Sequence, residues 1–441
     1  MRLGGDTIAA VATPLGAGGV GILRISGPDA ASILAQVTNT SVDGLRDRYF
    51  EYGHVQQDGR RLDEVLFVLM RGPRSFTGED VAEIHGHGGA ANVAELLRCV
   101  IAAGARHADP GEFTRRAFEN NRIDLTRAEA IADIVNASSA KALRVAQEQL
   151  AGSLGGIVNS LIASVVDLTA EIEAGIDFPE DGLSDIERTK QCKQANDAAQ
   201  HCLELAASFG VGRVLRDGVD VVLRGAVNAG KSSLFNALVG RERSIVASDA
   251  GTTRDYVEAQ VVWDGLAITL VDTAGIRSAS EAESIEGQGI EMGAARAEQA
   301  DLELFVVSSG DDAEIAESAR TMIVRSKCDL PASSDSSVGL ATSAKAGTGL
   351  EELKRAILER VTGGASESAE GCVVTNERQR ARLEAAGGFL QAAAGLVERN
   401  APAELTIVEL GAARNCLAEI TGEEVGDEML DALFARFCIG K

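Results

Sequence analysis

Gly225-Ala226-Val227-Asn228-Ala229-Gly230-Lys231-Ser232 reads G-x-x-x-x-G-K-S, the spacing of a phosphate-binding loop. Upstream, Val219, Val221, Val222 and Leu223 form a short run rich in β-branched residues, which predicts a buried strand. Downstream, Ser232 to Leu238 reads as the start of a helix. Between the two, glycines let backbone N–H groups turn inward on a phosphate, and the helix N-terminus adds the positive end of its dipole. Lys231 then reaches the β- and γ-phosphates, and Ser232 offers a hydroxyl to Mg²⁺. A glycine-rich turn with a chance lysine is the bland alternative. All four fixed residues and both flanks stand against it.

Spaced pieces downstream complete a guanine-nucleotide site. Gly251-Thr252-Thr253-Arg254-Asp255 offers a second hydroxyl for Mg²⁺. Asp272-Thr273-Ala274-Gly275 ends a strand, so that Asp272 can hold the metal's water and Gly275 can donate its N–H to the γ-phosphate. Ser326-Lys327-Cys328-Asp329 stands where N-K-x-D reads guanine, and Ser343-Ala344-Lys345 supplies a last base-contacting loop. The Asp329 carboxylate accepts from the two donors on guanine's Watson–Crick edge, a pair that adenine lacks. Ser326 in place of Asn removes one neutral hydrogen bond, which costs about 0.5–1.5 kcal/mol, at most roughly tenfold in affinity. The expectation is weaker binding with guanine preference kept. A GTPase-shaped scaffold without turnover is the competing reading of Ser326.

Composition narrows the class. A 441-residue chain with 45% apolar residues holds roughly two to four domains. Its net charge of −24 argues against a generally basic nucleic-acid binder, so any RNA contact needs a local patch or a partner protein. Cys99, Cys192, Cys202, Cys328, Cys372, Cys416 and Cys438 are scattered without a C-x-x-C pair, which suits a reducing cytosol and no structural zinc. No apolar run reads as a membrane span and no targeting peptide precedes Asp6, so a cytoplasmic location is expected.

The chain divides by pattern into a multidomain α/β and α protein. Residues 1–118 read as an α+β domain, with strands at Thr7 to Ala12, Val20 to Ile25 and Glu64 to Met70 and a helix at Ala91 to Ala103. Gly16-Ala17-Gly18-Gly19-Val20-Gly21 precedes a strand rather than following one, which rejects a dinucleotide loop there. Residues 119–215 and 371–441 carry helical periodicity, broken at Asp177-Phe178-Pro179, and read as one helical domain. Residues 216–370 form an α/β nucleotide domain inserted into it. This insert has a strand pair across Asp264-Gly265, and a Gly/Ser/Glu linker follows at Thr362 to Gly371.

The layout resembles the tRNA-modification GTPase family MnmE, also called TrmE, over essentially the whole chain. The resemblance rests on Asp6-Thr7-Ile8, Gly19 to Gly27, Ser75-Phe76-Thr77-Gly78-Glu79-Asp80 and Pro110-Gly111-Glu112-Phe113-Thr114. The inserted GTPase and the terminal Phe437-Cys438-Ile439-Gly440-Lys441 complete it. It implies an N-terminal folate-binding domain that also makes the homodimer, a central helical domain and a Ras-like GTPase domain. It implies work with the FAD protein MnmG, as a heterotetramer, on C5 of the wobble uridine in certain tRNAs. An aminomethyl or carboxymethylaminomethyl group is built there with a carbon from 5,10-methylene-tetrahydrofolate, for which 5-formyl-tetrahydrofolate is an analogue. By motif position Arg24, Glu83, Arg122 and Lys441 match the folate contacts, with Arg122 in place of a Lys; Arg and Lys are not interchangeable at a tight contact. The alternative for Arg24 and Glu83 is an internal ion pair. Cys438 is either a thiol near the folate or a buried helix cysteine.

For hydrolysis the resemblance implies GTP contacts from Asn228, Ala229, Gly230, Lys231, Ser232 and Ser233. It adds Ala247, Ser248, Asp249, Ala250, Gly251, Thr252 and Thr253 from a switch loop, then Asp272, Thr273, Ala274 and Gly275. Ser326, Lys327, Asp329, Ser343, Ala344 and Lys345 face the base. Mg²⁺ falls to Ser232 and Thr253, and K⁺ to Asn228, Ala247, Asp249 and Thr252, so that potassium takes the part of an arginine finger. Lys231, Asn228 and Glu286 are the catalytic set. Glu286 orients water, and Glu283 is the fallback because the preceding loop is about two residues longer than the family pattern. A ribosome-assembly or other RNA-associated GTPase switch is the alternative function.

Overall fold

The structure, a computed structural model, describes residues 5–14, 16–177, 185–240, 257–272, 299–308, 317–330, 339–363 and 372–440. The chain divides into two units, residues 1–132 with 418–441, and residues 133–417.

The first unit is built on a six-stranded sheet. Its strands are β1 (Ile8–Val11), β2 (Val20–Ser26), β3 (Glu51–Gln57), β4 (Arg60–Met70), β5 (Val81–His87) and β6 (Arg106–His107), in the order β3-β4-β5-β2-β1-β6. Helices Ala30–Thr38 and Ala90–Ala102 bury one face through a core that includes Leu23, Ile25, Leu34, Phe67, Ile84 and Leu96. The period of two along β2 therefore puts Arg24 on the opposite face, where it stands in register with Glu83 of β5. Sequence periodicity misses β3, β5 and β6. In β5 that opposite face carries Glu83, His85 and His87 after Val81, so the strand lacks the apolar density of its neighbours.

Residues 418–440 lie with this first unit, whereas the sequence pattern groups 371–441 with the helices. Leu430, Phe434 and Phe437 pack with Leu125 and Ala128, and Arg115 pairs with Asp431. Two close backbone approaches fix the segment. A Cβ on Gly111 would stand 2.7 Å from the Phe434 carbonyl oxygen, and one on Gly440 2.1 Å from that of Val11. The Gly111 N–H donates to the Cys438 carbonyl at 3.4 Å. Cys438 follows the helix Asp427–Phe434 and is exposed, which removes the reading of a buried helix cysteine.

In the second unit a largely parallel sheet comprises β7 (Val219–Arg224), β8 (Val257–Trp263), β9 (Leu266–Asp272), β10 (Leu302–Ser308), β11 (Thr321–Ser326) and β12 (Leu340–Ala341), in the order β12-β11-β10-β7-β9-β8. Helices Lys231–Val239 and Leu350–Thr362 pack on it through Leu234, Leu238, Leu353 and Ile357. Among the described strands only β8–β9 is antiparallel, and its turn residues Asp264 (φ 50°) and Gly265 (φ 74°) are both left-handed, as a two-residue hairpin with right-handed strand twist requires. The helix Glu377–Glu398 packs along Asp185–Ala207, where Gly387 admits the Leu203 side chain. Cys202 of Asp185–Ala207 is fully buried, and burial pushes its thiol up to about 12.

The sequence reading found no span-length apolar run, yet Ser153–Ile176 is by length and composition long and apolar enough to cross a membrane. Its Ala, Gly and Ser residues, interspersed with Leu, Ile and Val, carry few charges. Leu154, Val158, Leu161, Val165, Leu168 and Ile172 are buried at spacings of three and four, so one stripe of the helix is already covered by protein.

Candidate functional site

The turn from β7 into the helix Lys231–Val239 holds the shape the motif demands. Gly225 has φ 141°, and a Cβ there would lie 2.1 Å from the Val306 carbonyl oxygen, so the first glycine is required by its neighbour β10. Asn228 (φ 64°) and Gly230 (φ 95°) are left-handed. Left-handed residues among right-handed ones make the kind of concavity that binds anions. Among the described residues no side chain caps the helix at Gly230, and an uncapped helix N-terminus is a ready anion site. Lys231 is buried, and its Nζ donates to the carbonyls of Gly225 at 3.0 Å and Ala226 at 2.8 Å. Ser232 and Ser233 are exposed on the first turn.

The Ser326-Lys327-Cys328-Asp329 loop is tied to this turn. Ser326 ends β11 only 4% exposed, and its hydroxyl donates to the Ala229 carbonyl and, at 3.3 Å, to that of Val307. Sequence reading gave Ser326 a weakened contact with the base; the structure gives its hydroxyl the task of a strut between the two loops. Next to it Lys327 is left-handed (φ 59°), and its Nζ donates to the Asn228 carbonyl at 2.5 Å. The exposed Asp329 accepts from the buried Ser343 hydroxyl at 2.7 Å, and that bond holds its carboxyl below the usual carboxylate range. Ser343 also accepts from the Ala346 N–H at 3.1 Å, in the turn that carries Ala344 and Lys345. Asp272 ends β9 in register with Leu223 of β7 and is buried.

The structure thus brings Asn228 to Ser233, Ser326, Lys327, Asp329 and Ser343 to one edge of the sheet. Ala247, Ser248, Asp249, Ala250, Gly251, Thr252, Thr253, Thr273, Ala274, Gly275, Glu283, Glu286 and Lys441 lie outside the described residues.

A second cluster occupies the first unit. Arg24 Nε and Nη2 donate to Glu83 Oε1 at 3.0 and 2.9 Å, and Glu83 Oε2 lies 3.1 Å from His85 Nε2. The Arg24 guanidinium lies 5.4 Å from the Phe76 ring centre and 5.9 Å from that of Phe113. The internal ion pair weighed for Arg24 and Glu83 is therefore present. Arg122 donates to the Ser75 carbonyl at 3.2 Å and packs on Gly78.

Sequence reasoning missed Arg106 and Arg116. Arg116 is 2% exposed and binds Asp6 at 2.7 Å, Glu112 at 3.0 Å and Glu79 at 3.1 Å; Arg106 binds Glu112 at 2.6 Å and Asp6 at 2.5 Å. Burial raises the Asp6 and Glu112 carboxyls, but the arginine hydrogen bonds outweigh it and hold both below their ordinary values. The signal was in plain view, since Asp6, Glu79 and Glu112 all belong to the motifs that carry the resemblance. Their partners lie up to 110 residues away.

Two family descriptions match the chain, "GTP-binding protein TrmE N-terminus" over residues 7–122 and "MnmE helical domain" over residues 125–438. A "tRNA modification GTPase MnmE" of Chloroflexus aurantiacus is 42% identical, with 99% of this chain and 100% of the relative covered. Proteins of the same name from Nitratidesulfovibrio vulgaris and Geobacter sulfurreducens are 40% and 41% identical, each with 99% of both chains covered.

Proposed function

The chain belongs to the MnmE (TrmE) family of tRNA modification GTPases, and on that premise we propose that it is a potassium-activated GTP hydrolase, acting on an acid anhydride bond, that serves modification of the wobble uridine with the FAD protein MnmG. The observation that carries this reading is the strut from Ser326 to Ala229. It joins a phosphate-binding turn to a carboxylate, Asp329, already set by Ser343.

Each residue has a distinct task. Lys231 and the first N–H groups of its helix hold the phosphates. Asp329 accepts from the two guanine donors, with the Lys327 stem along the base. Ser232, exposed beside Lys231, fits a magnesium ligand together with Thr253, and the buried Asp272 at the neighbouring strand end suits a metal-bound water. Asn228, exposed and left-handed, fits a potassium ligand together with Ala247, Asp249 and Thr252. Magnesium supplies charge neutralisation at the phosphates, and potassium supplies it at the transition state. Glu286, or Glu283 in its stead, orients the attacking water.

In the first unit, Arg24, Glu83, Arg122 and Lys441 are the proposed contacts of a methylene-tetrahydrofolate, with Cys438 exposed on the same unit. The carboxylate of Glu83 matches the paired N–H donors of a pterin, and the aromatic rings around Arg24 suit a flat heterocycle. Arg24 and His85 already engage that carboxylate, so a ligand there shares its oxygens. The same unit makes the proposed homodimer, and MnmG supplies basic surface for tRNA that a chain of net charge −24 lacks. The proposed place of action is the cytoplasm.

GTP hydrolysis by the full chain in potassium chloride against sodium chloride, at matched ionic strength, tests the reading. Strong acceleration in potassium is expected. Equal rates in the two salts would remove the ion site at Asn228 and the potassium mechanism with it.

A further inference from the structure

The second unit contains a cavity of about 520 Å³ that none of the chemistry above uses. It lies at the Asp264-Gly265 turn, the end of β9 opposite Asp272. The walls are the hairpin tip, the helices Phe209–Asp217 and Leu350–Thr362, and Lys141 from the helix Ala140–Leu150. This size suits a small organic molecule.

Its lining is sorted by polarity. Val211, Val214, Leu266 and Leu358 give an apolar wall. Lys354 has a side chain only 16% exposed, with its Nζ 5.7 Å from the centre of the Trp263 ring. Its partner Glu351 stands 85% exposed at the rim, and the pair Arg355 and Glu359 is similarly solvated, at 72% and 68%. Asp264 is exposed at the turn. Lys141 lays its methylenes over Gly265 and is half-buried; among the described residues its amine has no hydrogen-bond or ion-pair partner. The acids therefore sit in water at the mouth while two lysines stand nearer the apolar wall. Trp263 is 4% exposed, and among the described residues its buried indole N–H has no hydrogen-bond partner.

We propose that this cavity is a binding site for an amphipathic organic anion, a flat apolar body carrying one carboxylate or sulfonate. The apolar body lies against Val214, Leu266 and Leu358, and the anionic group lies between Lys141 and Lys354. Such a ligand would occupy the hairpin end of the strands whose other ends reach the nucleotide edge.

Trp263 is the sole tryptophan of the chain, so its emission reports on this corner alone. The experiment titrates the full-length protein with 8-anilinonaphthalene-1-sulfonate and follows energy transfer from Trp263. The expected result is saturable quenching at one site. Affinity should fall at least tenfold in Lys141→Met, which keeps the stem and removes the charge, and also in Leu358→Phe, which fills the cavity. Lys190→Met, an exposed lysine paired with Glu171, should bind as the parent does. Thermal melts followed by circular dichroism confirm that each variant is folded. Absence of saturable quenching in the parent overturns the proposal, and so does parental affinity in both cavity variants. Should one of the two fail to fold, the other alone decides.

Discussion

The nucleotide edge of the second unit and the arginine cluster of the first are both polar, and they are held together in opposite ways. At the nucleotide edge, backbone conformation dominates. Gly225, Asn228 and Gly230 set the turn, and single hydroxyls from Ser326 and Ser343 connect the pieces. In the first unit, side-chain charge dominates. Asp6, Glu79 and Glu112 converge on Arg106 and Arg116 with little solvent around the innermost groups. A site built from backbone holds its cation on main-chain carbonyls, as Lys231 is held by Gly225 and Ala226. A site built from ion pairs uses its charges on itself. The difference separates residues kept for chemistry from residues kept for architecture.

The strongest test is Arg116→Met. Removing Arg116 from this buried charge network strips Glu79 of its arginine and leaves Asp6 and Glu112 to Arg106 alone, and the first unit should lose about 3 kcal/mol in denaturant unfolding. Nucleotide affinity should stay unchanged. A loss below about 1 kcal/mol would erase the contrast. The mirror experiment is Lys231→Ala, for which GTP hydrolysis should fall roughly 100- to 1,000-fold while unfolding of the first unit stays as in the parent.

Smaller effects sharpen the picture within the nucleotide edge. Ser326→Ala removes the strut and should weaken GDP binding by about 1 kcal/mol, roughly fivefold, with preference for guanine over adenine kept because Asp329 remains. A loss of that preference in a labelled GDP and ADP titration would make Ser326 a reader of the base. Ser343→Ala acts through charge. The Ser343 hydroxyl lowers the Asp329 carboxyl, so the carboxylate proposed to accept from guanine persists as pH falls and is lost only on passing the lowered value. Without that bond the carboxyl rises toward its ordinary range. The acid limb of the GDP affinity profile should then move to higher pH, by the smallest of these effects.

Legibility in the sequence follows the same division. The phosphate turn and the Asp264-Gly265 hairpin were readable because each is fixed by a few consecutive residues with special backbone needs. β5 was not, because a strand whose outward face carries Glu83, His85 and His87 lacks the apolar run that marks its neighbours. The arginine cluster was invisible to spacing, since Arg106 meets Asp6 across 100 residues of chain. Ser326 looked like a weakened base contact because the motif names a position and says nothing about where its hydroxyl points. The apolar stripe of Ser153–Asp177 was too dilute in large residues to register as a span-length run, though its length and low charge qualify it.

The fastening of residues 418–440 into the first unit has a consequence for biogenesis. Phe434 and Phe437 complete a core begun by Leu125 and Ala128, and Gly440 closes against Val11. The ribosome makes these closing pieces only after the entire second unit, ~300 residues and roughly 15–60 seconds later at ordinary elongation rates. Through that interval the first unit waits with an open seam around Gly111, Leu125 and Ala128. The second unit can mature as a block, while the first is sealed last. Nascent chains are accordingly most exposed to holdase capture and proteolysis at their oldest residues rather than their newest.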